Sequence, residues 1–359
     1  MPSAVVVGAG IFGASLAYRL ARDGWDVTLY ERHEPGNTKA ASGGESRLIR
    51  YAHGSDAWYT RSAWRARELW RELEAETGRE LLVESGIAWF SRSQGGWEAE
   101  SERVLQAEGI PVERLAPEAG HGLFPSFEPD GLEFILWEPQ AGVLRAREAT
   151  LATIEAAQRA GARLVRATVT PADVDADIVV WATGAWLPGL FEVPIRVTKQ
   201  DVVFFSADGW ETPRVPAWVD YDRAVYGLGN LDGAGVKVAP DVEGPEFDPD
   251  EDERVPAPES EPRARAYLRE RFPALLNAPL AGVTVCQYAL TPDTNFVVAR
   301  NERRHWILGG GSGHGFKHGP ALAEYAARVV TGEEEPHERF GLGPRDRGPS
   351  LRTAGSSGR

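Results

Sequence analysis

Near the start of the chain the apolar positions change period twice. AVVVGAG at residues 4–10 is a short apolar run ending in glycine, whereas IFGASLAYRLARDG at 11–24 repeats apolar residues at Ile11, Leu16, Ala17 and Leu20 before Gly24. DVTLYER at 26–32 is strand-like again. The order predicts strand, glycine turn, helix and strand, the opening of a βαβ unit. Helical spacing returns over 59–78 (Trp64, Leu69, Trp70, Leu73), and LLVESGIAWFS at 81–91 reads as a strand pair entering a sheet. Further along, the pattern predicts a helix over 147–161, a strand over 177–184, a helix over 263–272, and a helix at 321–330 after a strand that ends in glycines.

Composition narrows the function classes. No apolar run is long and charge-free enough to cross a bilayer, and the first strand begins too early to leave room for a signal peptide. A single cysteine, Cys286, cannot form an internal disulfide, which fits a reducing compartment, and a cytoplasmic location is expected. A net charge of -14 with no basic block argues against nucleic acid as a partner. Only Lys39, Lys199, Lys237 and Lys317 supply lysine, so any lysine chemistry falls to one of these four. The acidic, proline-rich segment 241–262 reads as a solvated loop or as a flap over a site.

Candidate chemistry begins at GAGIFG. Gly8, Gly10 and Gly13 stand between a strand and a helix, where the first makes a tight turn, the second admits a pyrophosphate and the third lets helix and strand pack closely. Glu31, at the end of the second strand, is placed for a ribose hydroxyl. Ala182-Thr183-Gly184 after DIVVW and ILGGGSGHGFK at 307–317 are two more glycine turns after strands. Three such turns suggest one extended cofactor gripped at several points, which fits FAD better than a nicotinamide held by one unit. In GGESRLIRYAHG at 43–54, Arg47 and Arg50 lie three apart, and on a helical turn both guanidinium groups would point to one side, toward a carboxylate or a flavin carbonyl.

Taken with VCQYALTPDTNF at 285–296 and GSGHGFK at 311–317, these segments resemble the monomeric sarcosine oxidase and N-methyltryptophan oxidase group of the D-amino-acid-oxidase-like flavoenzymes, in order and spacing, from GAGIFG to about Phe340. The resemblance implies an α/β fold. A Rossmann-like FAD-binding domain (1–84, 142–196 and 281–345) would be interleaved with an α+β substrate domain on a mixed or antiparallel sheet (85–141 and 197–280), followed by a flexible tail at 346–359. It also implies that Cys286 is the covalent anchor of FAD, a thioether to the 8α-methyl. Gly8, Gly10, Ile11, Phe12, Gly13, Glu31, Arg32, Ser42, Arg47, Gly184, Gly313, His314, Gly315 and Lys317 would complete the cofactor site. Lys237 matches the oxygen-activating lysine of the group, Tyr226 and Tyr288 match residues on the substrate side, and Arg47 belongs with them. Arg50 and Lys317 match the substrate carboxylate clamp.

The implied function is an FAD-dependent oxidase of a secondary amine or amino acid, which forms an imine and reduces dioxygen to hydrogen peroxide. The alternative is a dehydrogenase of the same fold that passes electrons to another acceptor. Neither a metal nor a membrane is expected, and a monomer acting on a small amine is implied. Two positions depart from the group. Asp241 stands where its sarcosine oxidases have a histidine, and Gly43 stands where a histidine is frequent. The first removes a group on the amine side and puts sarcosine itself in question. Asp241 would instead attract a cationic amine or bond a polar side chain. Trp58, Trp137 and Trp218 are candidates for an aromatic pocket, or equally for core positions.

Overall fold

The computed structural model describes residues 1–348 and 350–353. Strand β1 (Ser3–Val7), helix α1 (Ile11–Arg22) and strand β2 (Asp26–Glu31) form the expected βαβ opening. β1 lies inside a six-stranded sheet, between β2 and Ile178–Trp181. Arg163–Arg166 and Trp306–Gly309 extend the parallel set, and Val297–Arg300 closes one edge antiparallel. Successive side chains of a strand face opposite ways. Ala4 and Val6 therefore join the core with α1 and the helix Gly319–Thr331, while Val5 and Val7 join Trp181, Leu187 and Ile195 on the other face. With both faces covered, β1 is a continuous apolar run.

A second, eight-stranded sheet runs from Leu280–Leu290 through Arg196–Phe205, Val236–Pro240, Val225–Leu228, Ala217–Asp220, Ile87–Ser91 and Phe134–Glu138 to Glu113–Leu115. All its pairings are antiparallel except that of Ala217–Asp220 with Ile87–Ser91. The mixed α/β architecture agrees with the fold class expected from the sequence. Helix Ala57–Thr77 begins at Asp56, whose side chain accepts from the Tyr59 amide at 3.2 Å.

Two expectations change. Arg47 lies in the strand Ser46–Ile49, with Arg50 just beyond its end, so the helical turn assumed for the pair does not exist. The strand forms because Ser46–Ile49 pairs antiparallel with Gly142–Arg145, a partner distant in sequence. The flexible tail also fails over part of its length, because Ser350, Leu351, Arg352 and Thr353 are buried. Tyr221 donates to the Ser350 carbonyl at 3.0 Å, and the Leu351 amide donates to Thr294 Oγ1 at 3.2 Å. Pro349 and residues 354–359 of that tail lie outside the described residues.

Candidate active site

A groove of about 370 Å³ opens at the carboxyl ends of β1 and its neighbours, where ligands of open α/β sheets bind. Gly8 makes the turn at φ +100°, and a Cβ on Gly13 would stand 1.9 Å from the Gly8 carbonyl oxygen. Only glycine lets α1 sit this close to β1. Ser42 Oγ accepts from the Ile11 amide at 3.0 Å, and Glu31 accepts from the amides of Ala9 (2.9 Å) and His33 (2.8 Å). Arg32 lies 5.3 Å over the Trp186 ring and pairs with Asp250. Asp250 belongs to the acidic segment, which also reaches the rim through Arg254, a donor to the Lys39 carbonyl at 3.0 Å. That segment therefore covers part of the groove. Thr183 Oγ1 is buried in the groove wall without a hydrogen-bond partner among the described residues, a polar atom that suits a ligand.

At the far end of the groove, Cys286 Sγ lies 3.6 Å from Arg47 Nη2. Arg47 also donates to the carbonyls of Ala41 and Ser46. It lines, with Gly313 and Phe316, a second cavity of about 50 Å³ as well as the groove. Arg50, Tyr226, Asp241 and Lys317 face this second cavity. Arg50 donates to the carbonyls of Ala52 and Leu351 and lies 5.2 Å over the Trp89 ring, and burial lowers it to about 10. Behind it, Glu138 accepts from Trp89 Nε1 (2.6 Å), Tyr51 N (2.7 Å) and Ala52 N (3.1 Å). Lys317 donates to the His314 carbonyl at 2.8 Å, and burial, then Arg50, holds its ammonium well below the usual range.

Lys237 is 2 % exposed and lines neither cavity. Its Nζ reaches Ser46 O (3.3 Å) and Oγ (3.4 Å) and lies 5.4 Å from the Tyr226 ring centre. Burial, followed by Arg47, lowers it to about 7. Tyr288 lines the groove, and its hydroxyl donates to Asp241 at 3.1 Å. Burial, then Asp241, raises the Tyr226 phenol to about 12, so it stays protonated at neutral pH.

Of the residues expected in the cofactor site, Gly8, Gly10, Ile11, Phe12, Glu31, Arg32, Ser42, Arg47, Gly184, Cys286, Gly313 and Gly315 line the groove. Gly13 packs behind it, and His314 and Lys317 face the smaller cavity. His314 joins His53 and His318 in a buried group, each keeping one ring nitrogen without a partner among the described residues. Burial, then Lys317, lowers all three well below the histidine range, and the rings pack on Tyr59 and Phe296. The three rings therefore pack as part of an aromatic core. The three candidate tryptophans line neither cavity. Sequence reasoning missed Glu138, Trp186, Asp250, Arg352 and Thr353. Only the acidic segment carried a signal, as a possible flap.

The family model described as FAD dependent oxidoreductase matches residues 3–329. The chain belongs to that family. Monomeric sarcosine oxidase of Bacillus sp. (strain NS-129) is 30% identical over 375 residues, 93% of this chain and 94% of the relative. N-methyl-L-tryptophan oxidase of Salmonella dublin is 27% identical over 361 residues, 92% and 94%. Among solved structures, L-proline dehydrogenase from P. horikoshii superposes with a TM-score of 0.83 at 24% identity, covering 95% of this chain and 96% of that one. Fructosamine oxidase from Aspergillus fumigatus (Amadoriase II) gives 0.79 at 22%, covering 98% and 94%. These two establish the oxidoreductase's fold alone. No helix among the described residues is long and apolar enough to cross a membrane.

Proposed function

We propose that this oxidoreductase oxidises a secondary amine or amino acid at the carbon beside nitrogen. The C–H and N–H hydrogens leave with two electrons to give an imine, and dioxygen takes them up as hydrogen peroxide. Bound FAD supplies the two-electron chemistry that links the halves. The observation that carries this reading is the position of Arg47, which borders both the groove that fits FAD and a small cavity lined by Arg50 and Lys317.

Each side chain then has a task. Cys286, in the groove wall, anchors the cofactor covalently. Arg50 and Lys317 hold a substrate carboxylate. Tyr226 and Tyr288 line the amine side. Lys237 stabilises negative charge as dioxygen is reduced, an electrostatic effect that is strong because its surroundings are dry. The test is anaerobic mixing of the purified holoprotein with N-methyl and cyclic amino acids, then admission of air. Bleaching of the flavin followed by stoichiometric peroxide is expected. Fast dye reduction with slow peroxide formation would favour the dehydrogenase instead, and no bleaching by any amine would overturn the reading.

A further inference from the structure

Arg352 reaches the smaller cavity from a part of the chain that the family match does not include. It is 4 % exposed, and its guanidinium lies 4.6 Å over the Tyr288 ring. Nη1 pairs with the Asp241 carboxylate and donates to the Asp241 carbonyl at 3.1 Å. Thr353 Oγ1 and the Tyr288 hydroxyl also donate to that carboxylate, at 2.9 and 3.1 Å. Asp241 is thus saturated, and its work is to hold the C-terminal segment in the site.

The Nε and Nη2 atoms of Arg352 are buried and have no hydrogen-bond partner among the described residues. Two adjacent N–H donors on one edge of a planar fork match the two oxygens of a carboxylate side-on. Leaving them unpaired away from water is costly, and an acceptor at that edge would offset the cost. Arg50, by contrast, already donates one N–H from each Nη to a backbone carbonyl, which leaves its remaining N–H groups for the first carboxylate. Of the side chains lining the cavity, Arg47, Arg50, Lys317 and Arg352 are basic and Asp241 alone is acidic. In the functional reading above Arg50 and Lys317 take one carboxylate, and the open edge of Arg352 would take a second, so a ligand with two carboxylates would engage both.

The geometry points to Arg352 as a substrate-binding residue and to a substrate that carries a second acidic group, an amino diacid or an N-substituted one. This assignment rests on the amine-oxidation reading for its chemistry, but the anion site stands on the cavity alone. Binding is read from the flavin absorbance of the holoprotein titrated with succinate and with butyrate, chains of equal length that differ by one carboxylate. Turnover is read as kcat/KM for N-methyl-aspartate against N-methyl-alanine. The wild type should favour the diacid by at least about tenfold in both, the scale of a lost charge-assisted hydrogen-bond pair. Arg352→Gln should shrink both preferences toward unity, and Arg352→Lys, which keeps the charge but not the fork, should restore part of them. A wild type with no diacid preference overturns the assignment without any variant having to fold. So does a preference that Arg352→Gln leaves intact, or an equal loss for both members of each pair. If succinate shows the preference and its loss while no amine bleaches the flavin, the amine reading falls and the anion site stands. If amines bleach it without diacid preference, the reverse holds.

Discussion

Cys286 and Lys237 show what one side chain contributes when its surroundings are fixed. Cys286 lies at the groove with the Arg47 guanidinium 3.6 Å from its sulfur. Cys286→Ala should yield protein whose flavin passes into the supernatant on acid precipitation, whereas wild-type flavin stays with the pellet; flavin retained by the variant would remove Cys286 from this role. Lys237 is lowered from 10.5 to about 7, so its ammonium fraction halves near neutrality. Above that point it falls about tenfold per pH unit. Reoxidation of the reduced enzyme by dioxygen should slow between pH 7 and 9, and Lys237→Met should slow it by about a hundredfold or more and flatten the profile, the scale of one lost electrostatic group. Stopped-flow absorbance of the reduced enzyme mixed with oxygenated buffer measures both. The same shift bears on stability. The unfolded lysine holds its proton up to 10.5, so burial destabilises the fold fully below about pH 7, and the effect fades as pH rises toward 10.5. Lys237→Met should therefore raise the melting temperature more at pH 6 than at pH 9.

Among the elements, β1, α1 and β2 were readable because local period, glycine placement and burial agree there. Gly13→Val tests the geometry. Its side chain would start 1.9 Å from the Gly8 carbonyl oxygen, forcing α1 away from the sheet. Overpacking of this kind costs about 1–3 kcal/mol or more, so the variant should melt several degrees lower and purify with little or no flavin. A yellow protein with wild-type melting would contradict the close packing. The segment around Arg47 and Arg50 shows the opposite case. Its spacing fits a helical turn, yet Gly142–Arg145 supplies a ladder that makes it a strand. A partner nearly a hundred residues away leaves no mark in a local pattern, and the two arginines still reach one cavity because Arg50 lies beyond the strand end.

On the scale of the whole molecule, the site is assembled from chain segments that meet only on folding: the glycine turn near the start, the strand at 46–49, both sheets, and the segment at 350–353. Deleting residues 350–359 would leave Asp241 buried with the Tyr288 hydroxyl as its remaining side-chain partner and Arg50 without one of its carbonyl acceptors. Removing one partner of a buried ion pair costs about 3–5 kcal/mol. The truncated protein should melt at a clearly lower temperature in differential scanning fluorimetry, and an unchanged melting point would mean that the segment does not dock. By itself the sequence determined the α/β class, the dinucleotide turn with Glu31, the helices that cover the first sheet and the candidacy of Cys286, Lys237 and Lys317. The first three follow from local period and glycine placement, and the candidacy of the three side chains from the resemblance carried by VCQYALTPDTNF, GSGHGFK and the spacing of Lys237, all of which a linear string preserves. Only the tertiary structure decided that Arg47 stands on a strand, that Asp241 is occupied, that Glu138 backs Arg50 and that Arg352 enters the cavity. Each depends on long-range approach and on which buried polar atoms find partners, and neither is written in the spacing of residues along the chain.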